Sequence, residues 1–250
     1  MSTFLRHEAC PNCKSSDALA VFDDGHSYCF SCHWYESGDQ SIADTRKKYD
    51  TRDPQVGDTF LPQDFDFNIP QQGIDWLRKY GILQKEIINN RFGWSNDGII
   101  LKNKNIRVAP LLVFPIYDEV GHLLMWQGRN FGDKGGKYIT RGGKDVLHIL
   151  GEQHQSDTII LTEDLLSAIK ISRIAPSMPI WGSYMSLELA RRLSTRFKKA
   201  VLWLDKDKAQ EAVKQAANAS HIFEKGCSCI RTERDPKEYT TEEINIYATD

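Results

Sequence analysis

Two short apolar runs in this chain stop on carboxylates. Thr158-Ile159-Ile160-Leu161-Thr162 ends at Glu163, and Ala200-Val201-Leu202-Trp203-Leu204 ends at Asp205-Lys206-Asp207. Glu163, Asp205 and Asp207 offer hard oxygen ligands, and gathered at one point they suit Mg²⁺. Four cysteines make a second set: Cys10-Pro11-Asn12-Cys13 and Cys29-Phe30-Ser31-Cys32, with fifteen residues between the pairs. Thiolates at this spacing surround Zn²⁺ tetrahedrally at about 2.3 Å. Four protein ligands leave no open position, so the expected zinc is structural, one per chain. His7 and His33 lie close in sequence, but four thiols already complete the site.

The acids meet only if the right elements carry them. Apolar runs rich in β-branched and aromatic residues read as strands buried on both faces of a parallel sheet. Leu165–Ile174 and Ser186–Phe197 have helical patterns, and Ala209, Ala212, Val213, Ala216, Ala217 and Ile222 form an i, i+3, i+4 stripe. Lys225–Thr232 reads as a further strand, with Cys227 and Cys229 on one face as a structural buried pair. Alternating strand and helix define a doubly wound α/β unit, whose ligands bind at the carboxyl ends of the strands. That edge is where Glu163, Asp205 and Asp207 fall.

The cysteines need a different scaffold. Ala18–Phe22 and His26–Phe30 straddle Asp23-Asp24-Gly25, a hairpin pattern. So short a module has little core, and metal binding supplies much of its folding energy. From Gly38 to Asp66 the chain is polar and reads as a flexible linker, with Arg46-Lys47-Lys48 as a solvated stretch. Beyond it, Ile74, Leu77, Tyr80, Ile82, Leu83, Ile87 and Ile88 form helical patterns broken near Gly81. Leu111–Tyr117 and His122–Arg129 then read as a hairpin around Asp118–Gly121.

The 250 residues, 40% hydrophobic and 26% charged, are ordinary for a soluble globular protein of one or two domains. The net charge of -2 hides an asymmetry. Residues 1–40 hold two basic against six acidic side chains, whereas residues 70–150 hold twelve against seven. A phosphate-binding surface therefore belongs in the middle. The N-terminus lacks the apolar core of a signal peptide, and Val108–Tyr117 is too short to span a membrane. The expected compartment is the cytoplasm, where six cysteines favour metal over disulfides.

These motifs carry a resemblance. A strand ending in Glu163, then one ending in Asp205-Lys206-Asp207, resembles the Toprim domain shared by primases and topoisomerases. The Cys-Pro-Asn-Cys knuckle, Asp24-Gly25-His26 and Cys-x-x-Cys resemble the zinc-binding domain of phage primases, most of all the primase halves of primase–helicases in short-tailed phages. Phe114-Pro115-Ile116, Asp118, Gly121 and Gly128-Arg129 are similar to the core of DnaG-type primases. There the arginine leads past a glycine-rich loop to a Lys-Tyr pair; here Gly132, Gly135 and Gly136 precede Lys137-Tyr138. Gly142-Gly143-Lys144-Asp145 likewise resembles phage primases.

The resemblance implies that Asp235, in Asp235-Pro236-Lys237-Glu238, returns to the metal edge as a third acidic motif. It implies that Asp24, His26 and Trp34 help read template bases, and that Arg129, Lys137 and Lys144 hold triphosphate or template phosphates. Three positions depart from the pattern. Ser167 stands where relatives have a second acid, Gln210 where a glycine is common, and Asp164 where a glycine follows the first Glu.

The expected fold is α/β, α+β overall: a small zinc ribbon of β-hairpins linked to a two-part primase core ending in a Toprim α/β sheet. The expected domains are a zinc-binding domain (1–38), a flexible linker (39–68), an N-terminal polymerase subdomain (69–155), a Toprim subdomain (156–240) and a C-terminal tail (241–250). The expected function is DNA-dependent synthesis of RNA primers on single-stranded DNA for phage replication, with Asp205 and Asp207 holding Mg²⁺ and Asp235 nearby. Glu163 serves as a metal ligand or as general base. Partners would be template, ribonucleoside triphosphates, a separately encoded helicase and the replication DNA polymerase. No Gly-x-x-x-x-Gly-Lys-Ser/Thr loop occurs, so no ATP-driven helicase is expected in this chain. A rival reading is a RecR-like mediator, which joins zinc and Toprim motifs to bind DNA without chemistry. A Toprim nuclease or topoisomerase fragment is a third.

Overall fold

A computed structural model describes residues 4–23, 25–32, 34–36, 59–101, 105–143 and 146–248. Asp24, His33, Lys144 and residues 39–58, all singled out above, lie outside the described residues. The chain forms two compact units, residues 1–55 and 56–250.

The first unit is a four-stranded antiparallel sheet in sequential order. Its strands are β1 (Phe4–Glu8), β2 (Leu19–Phe22), β3 (Ser27–Cys29) and β4 (Tyr35–Glu36). The expected hairpin is β2–β3, with Leu19 opposite Cys29. β1 extends it through pairs such as Glu8 with Leu19. The buried centre is Cys10, Leu19 and Cys29, flanked by Ala18, Val21, Cys32 and Trp34. That is too little apolar surface to hold a domain without a further tie.

In the second unit two helices, α1 (Gln71–Lys79) and α2 (Gln84–Asn89), precede a mostly antiparallel region. β5 (Gly93–Ser95) is followed by the short hairpin of β6 (Ile99–Leu101) and β7 (Ile106–Val108). β8 (Leu111–Tyr117), β9 (Leu123–Asn130) and β10 (Tyr138–Gly142) complete a sheet of order β10-β9-β8-β5. Alternation along β8 divides its side chains: Leu112, Phe114 and Ile116 pack under α1 and α2, while Leu111 and Val113 join Trp126 and Ile139 on the other face.

The second sheet is parallel, of order β12-β11-β13-β14, from β11 (Thr158–Thr162), β12 (Ser177–Pro179), β13 (Lys199–Trp203) and β14 (Cys227–Cys229). Its connections run through α3 (Leu165–Ile171), α4 (Leu187–Ser194) and α5 (Ala209–Ala219). Ile159, Leu161, Ala200 and Leu202 face α4 and α5, whereas Ile160, Val201 and Trp203 face the opposite layer with Ile171 and Ile244. Both faces are covered, which explains why these strands read as unbroken apolar runs. All seven residues of α3 are buried, because Leu165, Leu166 and Ile169 also pack against the antiparallel region.

Two expected boundaries need correcting. Residues 61–66, expected at the end of the linker, belong to the second unit. Leu61 and Phe65 pack on its core, Asp66 bridges Trp94, and the Asp64 carboxylate accepts from Ser95 Oγ and, at 2.8 Å, from Asp97 N. The expected tail is instead a helix, α6 (Thr241–Ala248), whose Ile244 is fully buried. The strand expected over Lys225–Thr232 pairs only at Cys227–Cys229, and its two cysteines are half-buried against the α4–α5 layer.

Candidate active site

Sheet register sets the location. Thr162 of β11 lies opposite Trp203 of β13, so Glu163 and Asp205 leave the sheet at the same edge. Both line a cavity of about 420 Å³, together with Tyr80, Gln127, Lys137, Tyr138, Thr140, Asp164, Trp181, Gly182, Asp235 and Lys237. The antiparallel region thus supplies one wall, through β9 and β10, and the parallel sheet the other.

The charges in this cavity are arranged around Lys237. Its ammonium donates to Asp164 Oδ2 at 2.8 Å and Asp205 Oδ2 at 2.9 Å, and lies 3.3 Å from Asp235 Oδ2. Only 12% of its side chain is exposed. Burial alone would lower its pKa, but the Asp164 and Asp205 carboxylates raise it overall, so it is cationic at all ordinary pH. Asp205 is pushed up to about 7, first by burial and then by the negative charge of Asp164, against the pull of Lys237. Burial, then Asp164 and Asp207, also raises Glu163. Asp235 is lowered despite its burial, because it accepts from Lys206 N at 3.1 Å and faces Lys237.

Two carboxylate oxygens, Glu163 Oε2 and Asp205 Oδ1, are buried with no hydrogen-bond partner. An orphaned buried carboxylate oxygen is costly unless a cation or donor completes it. Oxygen donors of this kind, on two strand ends beside a cavity, fit a divalent cation such as Mg²⁺.

The expected residues divide accordingly. Glu163, Asp205 and Asp235 line one cavity with Lys137, although among the described residues only the four cysteines bring three or more ligand atoms within 4.8 Å of one another. Asp207 does not line it: β13 ends at Trp203, the chain bends into a 3-10 turn at Lys206–Lys208, and Asp207 pairs with Lys208 at 3.3 Å, its side chain 69% exposed. Arg129 does not line the cavity either. Its guanidinium lies 5.7, 6.0 and 5.4 Å from the rings of Trp76, Phe131 and Tyr138, and donates to Lys137 O at 3.4 Å.

Among the departures, Asp164 caps α3 by accepting from Ser167 N at 2.9 Å and pairs with Lys237. Ser167 is fully buried, and Gln210 is exposed. Sequence reasoning missed Lys237 as a site residue, along with Gln127 and Thr140, and singled out Asp164 only as a departure from the pattern. It also missed Asn130, whose buried side chain donates to Lys134 O at 2.8 Å and Gly136 O at 3.1 Å and accepts from Gly132 N at 2.9 Å, fixing the glycine-rich loop. A Cβ at Gly132 would run into the Ala109 carbonyl, so only glycine lets this loop pass.

In the first unit the four cysteine sulfurs lie within 4.8 Å of one another. Cys10 and Cys32 are 3.6 Å apart and Cys13 and Cys29 are 3.7 Å apart, near the roughly 3.8 Å edge of a tetrahedron with 2.3 Å bonds. Asn12 Nδ2 lies 3.5 Å from Cys32 Sγ and holds that thiol low, at about 6, which favours the ligating thiolate. Four sulfurs so placed could bind zinc. His26 stacks on Phe22, with ring centroids 4.1 Å apart and planes within 9°. Trp34 packs beside the cysteine cluster.

This architecture, a cysteine cluster followed by an antiparallel region and a parallel sheet, is the fold of primase zinc-binding and RNA polymerase domains. The Aquifex aeolicus primase, comprising those two domains, matches with a TM-score of 0.60 at 16% identity, over 99% of this chain and 80% of that one. The DnaG primase catalytic domain bound to ssDNA matches with a TM-score of 0.56 at 17% identity, over 83% of this chain and 78% of that one. Among curated proteins, the DNA helicase/primase of Enterobacteria phage T3 is 55% identical over 31 residues, 12% of this chain and 6% of that protein. The match therefore spans only a short stretch of that relative. No protein-family model matches the chain. The resemblance to phage and DnaG-type primases read from the motifs is borne out.

No helix among the described residues is long and apolar enough to cross a membrane.

Proposed function

We propose that this chain is a DNA-dependent primase that joins ribonucleotides on a single-stranded DNA template. The observation that carries the reading is the pair of buried, unpartnered oxygens, Glu163 Oε2 and Asp205 Oδ1, at the carboxyl edge of a parallel sheet in a primase fold. Glu163 and Asp205, with Asp235 nearby, would hold Mg²⁺, which when bound stabilises negative charge on the attacking and leaving oxygens. In the reaction a 3′-hydroxyl oxygen bonds to the α-phosphorus of the incoming triphosphate, pyrophosphate leaves, and the hydroxyl proton passes to a base. Glu163 fits that base, since burial and two neighbouring carboxylates raise its affinity for a proton. Ligand and base are alternative roles for Glu163, and where it serves as base, Asp205 and Asp235 are left to hold the ion. Asp207, exposed on the adjoining turn, would join the ligands only by a change of its side chain away from Lys208.

Lys137 is exposed at the cavity and suits a triphosphate or template phosphate. Arg129, held among three rings, is assigned to orient the Lys137–Tyr138 segment as well as to add positive charge. Lys144 keeps its assignment from the motif alone, as does Asp24 in template reading. In the first unit one structural Zn²⁺ on Cys10, Cys13, Cys29 and Cys32 would hold the sheet that presents His26 and Trp34 to template bases. The DnaG catalytic domain that matches this chain is bound to ssDNA, in keeping with such a template. A replicative helicase and a DNA polymerase are the expected partners, and the host cytoplasm the expected site of action.

Incubating the protein with labelled ribonucleoside triphosphates, Mg²⁺ and single-stranded DNA tests the reading. Template-dependent RNA oligomers support it. DNA binding without any incorporation would replace it with the RecR-like mediator.

A further inference from the structure

Lys237 occupies an unusual position for a lysine. It sits in a single 3-10 turn, Pro236–Glu238, and that turn is held from three directions. The Asp235 side chain and the Glu238 side chain cap it reciprocally, Asp235 Oδ1 accepts from Lys206 N, and buried Lys170 donates to Lys237 O at 2.8 Å. The ammonium donates to Asp164 at 2.8 Å and to Asp205 at 2.9 Å, and it forms an ion pair with Asp235 at 3.3 Å.

The oxygens are partitioned. Lys237 takes Asp205 Oδ2, while Asp205 Oδ1 and Glu163 Oε2 are left without a partner. A divalent cation completing those two oxygens shares the Asp205 carboxylate with the ammonium. A second divalent cation on the Asp205–Asp235 side would have to lie where Lys237 already makes its contacts, and like charges at that separation repel strongly in a partly buried site.

Resting on the polymerase reading above, we infer that Lys237 takes the place of one metal ion: the site works with a single divalent cation on Glu163 and Asp205, and the ammonium supplies the second centre of positive charge. Two-metal phosphoryl-transfer sites use paired cations to clamp the attacking and leaving oxygens. Here a fixed side chain would do half of that.

Mn²⁺ titration of the zinc-loaded full chain, followed by electron paramagnetic resonance without nucleotide, counts the ions directly. One saturable Mn²⁺ per chain is expected, lost in Glu163→Gln. Lys237→Met, which keeps the length and removes the charge, should gain a second Mn²⁺ or bind the first at least tenfold more tightly. Lys237→Arg should keep the parent's stoichiometry, and circular dichroism melts establish that each variant is folded. Two tight Mn²⁺ ions in the parent would overturn the inference. So would a folded Lys237→Met protein with the parent's number and affinity, which leaves the polymerase reading standing. If the parent binds no Mn²⁺ that Glu163→Gln removes, the metal reading falls, and the role of Lys237 falls with it.

Discussion

Asp205 has one oxygen on Lys237 and one buried without a partner, and its pKa of about 7 means that the fold disfavours its ionised form. Such frustration is common where a group is kept for chemistry rather than for stability. Glu163 and Asp205 were legible because each terminates an apolar run, and parallel register then brings strand ends together. Asp207 was misleading. Residues two apart share a face only while a strand continues, and this strand ends before Asp205. Lys237 was illegible as a site residue because its three partners come from three separate segments, none near it in a pattern of fixed spacing except Asp235. His148 contributes to the pH dependence of stability with the opposite sign to Asp205, whose raised pKa makes the folded chain the better proton acceptor. Burial holds His148 at about 4, whereas an unfolded histidine titrates near 6.5. Between those values the unfolded chain binds a proton that the folded chain refuses. The stability that His148 contributes is fully present above pH 6.5 and should drain away as pH falls towards 4, by at most about 3 kcal/mol. Denaturant melts of the parent and of His148→Leu across that range check this. The variant should show a flatter acid limb, and identical limbs would remove His148 as the cause.

At the scale of elements, α3 is the hub. One face packs on the parallel sheet and the other on the antiparallel region, so no polar stripe remains. Arg173, just beyond its end, donates to both Glu86 carboxylate oxygens at 2.8 Å, to Gly81 O at 2.8 Å and to Thr241 Oγ1 at 3.0 Å. It thereby ties α2, the α1–α2 turn and the start of α6 to the parallel sheet. Removing one partner of a largely buried ion pair strands the other, so Arg173→Ala should destabilise by about 3–5 kcal/mol. Urea melts measure this, and a loss below 1 kcal/mol would show the pair to be ornamental. The helices and the β8–β9 hairpin were readable from period and turn residues. α6 was not, because Thr241-Glu242-Glu243-Ile244 has a single core residue and no stripe. β10 was hidden by the glycines on either side of it, since its strand character comes from pairing with β9.

For the whole molecule, two units with different sources of stability predict different responses to metal loss. Among its described residues the first unit buries Cys10, Leu19, Ala20 and Cys29, whereas the second has extensive cores of its own. Cys29→Ser should lose its zinc and template-directed initiation, while the second unit keeps a cooperative thermal transition. Elemental analysis and calorimetry on the variant check both parts, and a variant retaining a full equivalent of zinc would contradict the four-thiolate site. The four-cysteine spacing was plain in the sequence, because it rests on a local pattern. The cavity itself was not, because its walls come from β9, β10, the strand ends and the turn at 235–238. In the proposed activity this cavity transfers nucleotides through its carboxylates. The most direct measurement is the single-turnover rate of the first phosphodiester bond in Asp205→Asn, taken together with its melting temperature. Loss of an essential charged group at the reacting centre predicts a fall of roughly a thousandfold or more. The melting temperature should equal or exceed the parent's, since asparagine relieves the carboxylate repulsion. Bond formation within a few-fold of the parent at ordinary Mg²⁺ would contradict the account.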